Sequence, residues 1–125
     1  MVESKSEFVN HICSETKHIA LLVLKLSISF KYSREIDIIL RQLVRSACSV
    51  GANYRAACRA RSIREYYSKL CITVEELDKC EYWLELLNEV SLRPCKDEIM
   101  EIQNCIKPLL KILGKSKFTT SQKLK

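Results

Sequence analysis

Apolar residues recur three or four positions apart along most of this 125-residue chain, the spacing of one buried face of an α-helix. Only two glycines and two prolines interrupt the pattern. It predicts four helices, at about 7–30, 35–60, 63–90 and 95–113, within one domain over residues 1–114. Because short connections join them, we expect an all-α, antiparallel up-down four-helix bundle.

Local signals place the helix ends. Ser33 is suited to cap the second helix, and Ser62 with Glu65 matches the capping box at the start of the third. Pro108 lies inside the fourth apolar stripe, where a missing backbone donor predicts a kink or an early end. After Gly114 no apolar period continues, so residues 115–125 are predicted to form a basic, flexible tail.

Charge is concentrated in one segment, because six arginines and no acid occur from Arg41 to Arg64. At about 100° per residue, Arg41, Arg45, Arg55 and Arg59 fall on the side of the second helix opposite its apolar face. The third helix carries most of the acids, so the net charge of +6 is unevenly distributed. Two interpretations follow. The arginines bind phosphates of a nucleic-acid backbone, or they pair with acids of the third helix in the same chain or a neighbouring one.

Several residues are candidates for contacts between subunits. Gly51 and Ala52 are small and lie between the arginine pairs, where another surface could approach the helix closely. Asn53 lies on a third, polar side of the same helix, and Trp83 with its neighbour Tyr82 is assigned to an interface. Stacking on nucleic-acid bases is the alternative role for the aromatic residues.

The sequence indicates neither a metal site nor a catalytic site. His11, Glu15 and His18 share a helix face and could hold a metal, but no fourth ligand is suggested and solvation or ordinary pairing is favoured. Serine, cysteine and carboxylate residues form no recognisable catalytic arrangement, so we expect no enzyme and no cofactor.

The seven cysteines lack the spacing of a zinc site, and their odd number argues against a disulfide framework. They are expected to be reduced and mostly buried. The most apolar segment, residues 19–30, is broken by a lysine and two serines and suits neither a membrane span nor an export signal. We therefore expect a cytoplasmic protein with no membrane partner.

The run LVRSACSVGANYRAACRARSIREYYSKL, from Leu43 to Leu70, and the later segment ELDKCEYWLELL carry a family resemblance. Ten residues match the pattern on the second helix and at the start of the third: Arg45, Ser46, Ser49, Val50, Ala52, Asn53, Ala57, Ser62, Glu65 and Tyr66. Four more match further along the third helix: Glu81, Tyr82, Trp83 and Leu84. The chain resembles the bacterial four-helix bundle proteins encoded within intervening sequences of large-subunit ribosomal RNA genes.

The resemblance implies a ring-like homopentamer with a basic surface for nucleic acid. The same fold occurs in accessory proteins of diversity-generating retroelements, which bind a reverse transcriptase and its RNA. This chain departs from the family pattern at Ala56, where many relatives have an acid, and at Pro108. The first departure makes the arginine face more basic.

Three functions remain open. The first is a nucleic-acid-binding oligomer that uses Arg41, Arg45, Arg55 and Arg59, assisted by Arg61, Arg64, Lys115 and Lys117. The second is a retroelement accessory protein in which the same side chains bind a reverse transcriptase or its RNA. The third is a structural oligomer whose arginines form only subunit ion pairs.

Overall fold

The computed structural model describes residues 4–125, which form four helices joined by short connections. Helix α1 spans Lys5–Ile28, α2 Arg34–Cys58, α3 Ile63–Val90 and α4 Lys96–Lys123. Each helix packs against two neighbours in the cyclic order α1, α2, α3, α4, and the contact between α2 and α3 is the most extensive. The expected all-α four-helix fold is confirmed for the part of the chain that the structure describes.

Serine side chains fix the starts of the first three helices. Ser4, Ser33 and Ser62 each accept a hydrogen bond from the backbone amide three residues later, at 3.1, 3.2 and 3.0 Å. These bonds satisfy amides that have no partner within the first helical turn. The predicted caps Ser33 and Ser62 are confirmed. Ser4 was not predicted to be a cap. Because it caps α1, this helix begins at Lys5, two residues before the predicted position.

One apolar core fills the space between the helices. The most deeply buried side chains come from all four helices and include Ile12, Ile19, Val23, Leu43, Ala47, Val50, Leu70, Leu77, Cys80, Leu84, Leu87, Ile106 and Leu113. On α2 the buried residues lie opposite the four arginines, and Tyr54 and Ala57 extend this apolar side to the end of the helix.

Three threonines lie inside this core despite their hydroxyl groups. Thr16 donates to the carbonyl of Cys13 at 3.0 Å, Thr73 to that of Lys69 at 2.9 Å, and Thr120 to the carbonyl of Ser116 at 2.8 Å. Each hydroxyl is satisfied within its own helix, so its burial does not leave a polar group without a partner.

The predicted end of the fourth helix is wrong. Helix α4 passes Pro108 and Gly114 and ends at Lys123, so the segment predicted to be a flexible tail over residues 115–125 is mostly helical. Pro108 and Asn104 are exposed, so water can reach the carbonyl that proline leaves without a donor. Thr120 is 7% exposed and continues the buried stripe beyond Leu113.

Helices α1 and α2 approach closely at Gly51. A Cβ atom at Gly51 would lie 3.3 Å from the Thr16 hydroxyl oxygen, tighter than ordinary van der Waals contact. The close approach that the sequence predicted for this residue is therefore made by α1 of the same chain. Ala52, the next residue, is exposed.

The substitution Gly51→Val is expected to lower the free energy of unfolding by about 1–3 kcal/mol, because three added carbons must displace Thr16. Ala52→Val is the matched control, since it places valine at the next position of the same helix in an exposed setting. It is expected to cost about 0.5 kcal/mol, from helix propensity alone. Urea denaturation followed by circular dichroism measures both. Equal losses for the two variants would contradict the close approach.

Arg93 connects the two loops at one end of the bundle. Its guanidinium donates to the Ser29 hydroxyl at 3.0 Å and to the Glu98 carboxylate at 2.6 Å. It also lies over the Phe30 ring, 4.8 Å from the ring centroid. The connection between α1 and α2 is thus fastened to the connection between α3 and α4.

All seven cysteines lie in the described part of the chain and are free thiols. Cys80 and Cys95 are buried, and burial raises the pKa of the Cys80 thiol to about 12. Contrary to the expectation that most are buried, Cys48 and Cys58 are exposed on α2 and three others are only half-buried. Within residues 4–125, no helix is both long enough and apolar enough to cross a membrane.

Candidate nucleic-acid interface

The four arginines that the sequence placed together on α2 form one exposed row, here called the arginine stripe: Arg41, Arg45, Arg55 and Arg59. From the first to the last the row covers about 27 Å, at 1.5 Å per residue. The helix turns its apolar side to the core and this row to the outside, so the predicted separation of the two faces is confirmed.

Carboxylates compensate little of this charge. Arg41 pairs with Asp37 of the same helix at 2.7 Å, but its side chain is 79% exposed. Arg45, Arg55 and Arg59 make no ion pair with any residue from 4 to 125. The acids of α3 in the same chain are therefore not the partners of the stripe.

Short side chains occupy the middle of the stripe. Cys48 and Ala52 are exposed between the two arginine pairs and leave the helix surface low there. Asn53 is half-buried, and its amide donates to the Ser49 carbonyl at 2.9 Å and to the Ser49 hydroxyl at 2.8 Å. Its proposed role between subunits stays a prediction.

A second basic feature lies at the end of the bundle where α1 begins and α4 ends. Here an open groove of about 1060 Å³, the basic groove, is lined by Lys5, Arg61, Lys115 and Lys123. No acidic side chain lines it among the residues that the structure describes. Arg61 and Lys115, separately predicted to assist binding, are thus brought together by the fold.

Aromatic residues form much of the floor of the basic groove. Phe8 of α1, Tyr54 of α2 and Tyr66 of α3 line it. Burial raises the pKa of the Tyr54 and Tyr66 hydroxyls. Cys58 also lines the groove and is exposed as a residue, but partial desolvation of its thiol raises the pKa of that group as well. These groups stay protonated at neutral pH, so the charge of the groove comes from its lysines and its arginine.

Sequence reasoning missed part of this groove. Lys5 precedes the predicted start of the first helix, and Lys123 falls in the segment predicted to be flexible. The antiparallel topology is the signal that could have found them, since it brings the start of α1, the connection after α2 and the end of α4 to the same end of the bundle.

The remaining predicted basic residues lie near the groove but do not line it. Arg64 is exposed on the first turn of α3, and Lys117 is half-buried on α4. Arg61 faces the Glu65 carboxylate at 3.5 Å, yet its side chain is 90% exposed, so this pair neutralises it only weakly.

Tyr82 and Trp83 lie on α3 and do not line the basic groove. Their rings meet edge to face, with centroids 5.0 Å apart. Tyr82 is 54% exposed and available to a partner. The indole nitrogen of Trp83 is buried, and no group in residues 4–125 accepts its hydrogen bond. The proposed subunit contact at these two residues stays a prediction.

Ionisation of Glu81, next to this pair, lowers the stability of the fold in a pH-dependent way. One of its carboxylate oxygens is buried without a donor in the described chain. Burial raises the pKa of this carboxyl, and the nearby Lys107 opposes the rise. A raised pKa in the folded state means that the folded protein binds the proton more tightly than the unfolded chain, so ionisation lowers stability as pH rises from about 4.5.

Glu81→Gln is expected to remove this cost. Relative to the parent, the variant should gain stability between pH 4 and pH 7, because glutamine does not ionise. Urea denaturation at both pH values measures the gain. Glu89→Gln, at an exposed position of the same helix, is the charge-matched control. If the difference in free energy of unfolding between Glu81→Gln and the parent stays constant with pH, ionisation of Glu81 does not lower stability.

The histidine face of α1 shows no assembled metal site. His11 and His18 are exposed and Glu15 is half-buried. Within residues 4–125 the structure contains no group of three histidine, cysteine or acidic side chains placed to share a metal ion.

The sequence profile of the 23S rRNA-intervening sequence protein family matches residues 10–115. The chain belongs to this family. The matched region contains the whole arginine stripe, whereas Lys5, Phe8 and Lys123 of the basic groove lie outside it. None of the curated proteins matches the chain.

A solved structure shows the same fold as this family member. It is a crystal structure from Bacteroides thetaiotaomicron VPI-5482, described as a protein with unknown function from the S23 ribosomal protein family. The two chains are 25% identical and superpose with a TM-score of 0.75, over 87% of this chain and 96% of the other.

Proposed function

We propose that this protein is a non-enzymatic, nucleic-acid-binding homo-oligomer that holds phosphate backbones on its arginine stripe. The observation that carries the proposal is the exposure of the stripe, in which Arg45, Arg55 and Arg59 have no carboxylate partner within residues 4–125. Guanidinium groups present a planar fork of donors that matches phosphate geometry. An uncompensated row of them is therefore suited to a polyanion.

The stripe suits contact with the backbone rather than reading of bases. A duplex carries one negative charge per about 1.7 Å of its axis, so a row of about 27 Å meets several phosphates. Between the arginine pairs stand Cys48 and Ala52, which cannot make the paired hydrogen bonds that distinguish one base from another. Binding should depend on charge and shape more than on sequence.

Oligomerisation would make this interface effective. Four arginines on one chain give weak, salt-sensitive binding, but several copies on a rigid assembly gain avidity when one strand can span them. Five copies are proposed, on the resemblance described above, with Tyr82 and Trp83 among the contacts between subunits. Arg61, Arg64, Lys115 and Lys117 would extend the basic surface.

Fluorescence anisotropy tests the proposal with single-stranded RNA, duplex RNA and duplex DNA of equal length. RNA is the first probe, because the family name refers to 23S rRNA. The logarithm of the affinity should fall linearly with the logarithm of the salt concentration, with a slope of roughly −3 to −4 for duplex DNA per stripe engaged. No binding to any probe at low salt would overturn the proposal. Contacts with protein would then have to explain the arginines.

A further inference from the structure

The basic groove combines charge with an apolar, aromatic floor. Lys5, Arg61, Lys115 and Lys123 surround it, and no acid within residues 4–125 lines it. Surfaces that bind only through charge need no such floor. A ligand that fits both features carries a negative charge and a flat or apolar group, which is the chemistry of a phosphate ester of an aromatic compound.

The size of the groove sets the scale of that ligand. Its volume of about 1060 Å³ lies slightly above the range of pockets that take one small molecule, about 300–1000 Å³. One nucleotide, or two, can enter it. A base can reach the floor only when it is unpaired and unstacked from its neighbours.

The arginine stripe ends close to the groove along the chain. Arg59, the last residue of the stripe, caps α2 and is followed after one residue by Arg61 at the edge of the groove. A strand held by Arg55 and Arg59 therefore has to pass only the connection between α2 and α3 to reach Arg61. This proximity favours a nucleic-acid strand over a free metabolite or a lipid headgroup, which would need no neighbouring row of arginines.

We propose that the basic groove binds an unpaired nucleotide of a strand whose backbone lies on the arginine stripe. Its phosphate is held by Arg61, Lys115 and Lys123, and its base lies against Phe8, Ile63 and Tyr66. The inference rests on the proposed function and makes it more specific: the protein prefers strands with unpaired nucleotides to fully paired duplexes.

Two native cysteines report on the two surfaces separately. Cys58 is exposed and lines the groove, whereas Cys48 is exposed in the middle of the stripe. The rate of alkylation of each thiol by iodoacetamide, measured by peptide mass spectrometry, therefore shows which surface a ligand covers. The reaction is run at mildly alkaline pH, because the reagent attacks the thiolate and the pKa of the Cys58 thiol is raised. The probes are uridine 5′-monophosphate, uridine and inorganic phosphate.

Uridine 5′-monophosphate is expected to slow alkylation of Cys58 several-fold and to leave Cys48 unchanged. In the variant Lys115→Gln/Lys123→Gln its affinity should fall by at least about tenfold, because two charge-assisted contacts are lost. Lys96→Gln/Lys111→Gln changes the net charge equally at exposed positions of α4 outside the groove and should retain affinity. Protection of Cys58 by inorganic phosphate as strong as by the nucleotide would overturn the role of the floor.

Longer probes separate failure of this inference from failure of the proposed function. A single-stranded oligonucleotide should protect both cysteines, and a blunt duplex should protect only Cys48. Protection of Cys48 alone by both probes would overturn the groove assignment and leave backbone binding intact. Lack of protection of Cys48 by either probe would count against the proposed function itself. Protection of Cys58 by phosphatidylglycerol vesicles but not by the nucleotide would replace the nucleotide with a lipid phosphate.

Discussion

Nucleic-acid binding is expected to weaken by roughly 100- to 1000-fold at low salt when glutamine replaces the whole arginine stripe, Arg41, Arg45, Arg55 and Arg59. The estimate takes about 0.7–1 kcal/mol for each exposed guanidinium and phosphate contact. The salt dependence should flatten in parallel, because fewer counterions are released on binding. The helix should persist, since the four positions are exposed and glutamine is a good helix former. Anisotropy titrations at several salt concentrations measure both effects.

A matched control distinguishes the stripe from general positive charge. Glutamine at four exposed lysines elsewhere, Lys17, Lys25, Lys96 and Lys111, lowers the net charge by the same amount. This variant should lose only a few-fold in affinity, because the four lysines attract phosphates at long range and are not in contact with them. Equal losses in the two variants would contradict a defined interface. Light scattering on the stripe variant adds a second test, since dissociation into smaller species would show that the arginines serve subunit ion pairs.

Removal of residues 115–125 is expected to lower the free energy of unfolding by about 2–4 kcal/mol. These residues form the last turns of α4, where Thr120 is buried and the end of the helix faces the start of α1 across the basic groove. The truncation exposes apolar surface around Leu113 and leaves α4 ending at Gly114. Chemical denaturation of the full chain and of the truncated chain measures the loss.

The control for the truncation keeps the full length of α4 and removes three positive charges from its last turns. Lys115→Gln, Lys117→Gln and Lys123→Gln together should change stability by no more than about 0.5 kcal/mol, because these side chains are mainly at the surface. A truncated chain as stable as the full one would show that these residues are mobile in solution, as their composition suggests. In that case the basic groove would lose one of its walls.

The extent of α4 illustrates what apolar periodicity can and cannot predict. Long stripes predicted the four helices, and the position of each arginine relative to Leu43 and Val50 predicted the exposed face of α2. The stripe of α4 continues past Leu113 to Thr120, but a hydropathy pattern reads threonine as polar. Its burial depends on a hydrogen bond to the Ser116 carbonyl, which only the folded helix supplies.

The sequence predicted one part of the candidate site, the arginine stripe, but not the other part, the basic groove. The arginine stripe lies within one helix, so spacing along the sequence was sufficient to find it. The basic groove joins segments that are far apart in the sequence, and its floor depends on how Phe8 and Tyr66 pack. Gly51 shows the same limit, because its small size indicated a close approach but not that Thr16 is the approaching residue.

The fastening of two loops by Arg93 makes the bundle mechanically unequal along its length. At that end, Ser29, Phe30 and Glu98 hold both connections to one guanidinium. At the opposite end a wide groove separates the start of α1 from the end of α4. At the groove end α2 and α3 are still joined by a short connection, whereas α1 and α4 are not joined there and make the least extensive contact of the bundle. We therefore expect separation of α1 from α4 to cost least at the groove. The width of the groove can therefore change while the end of the bundle that Arg93 holds together stays in place.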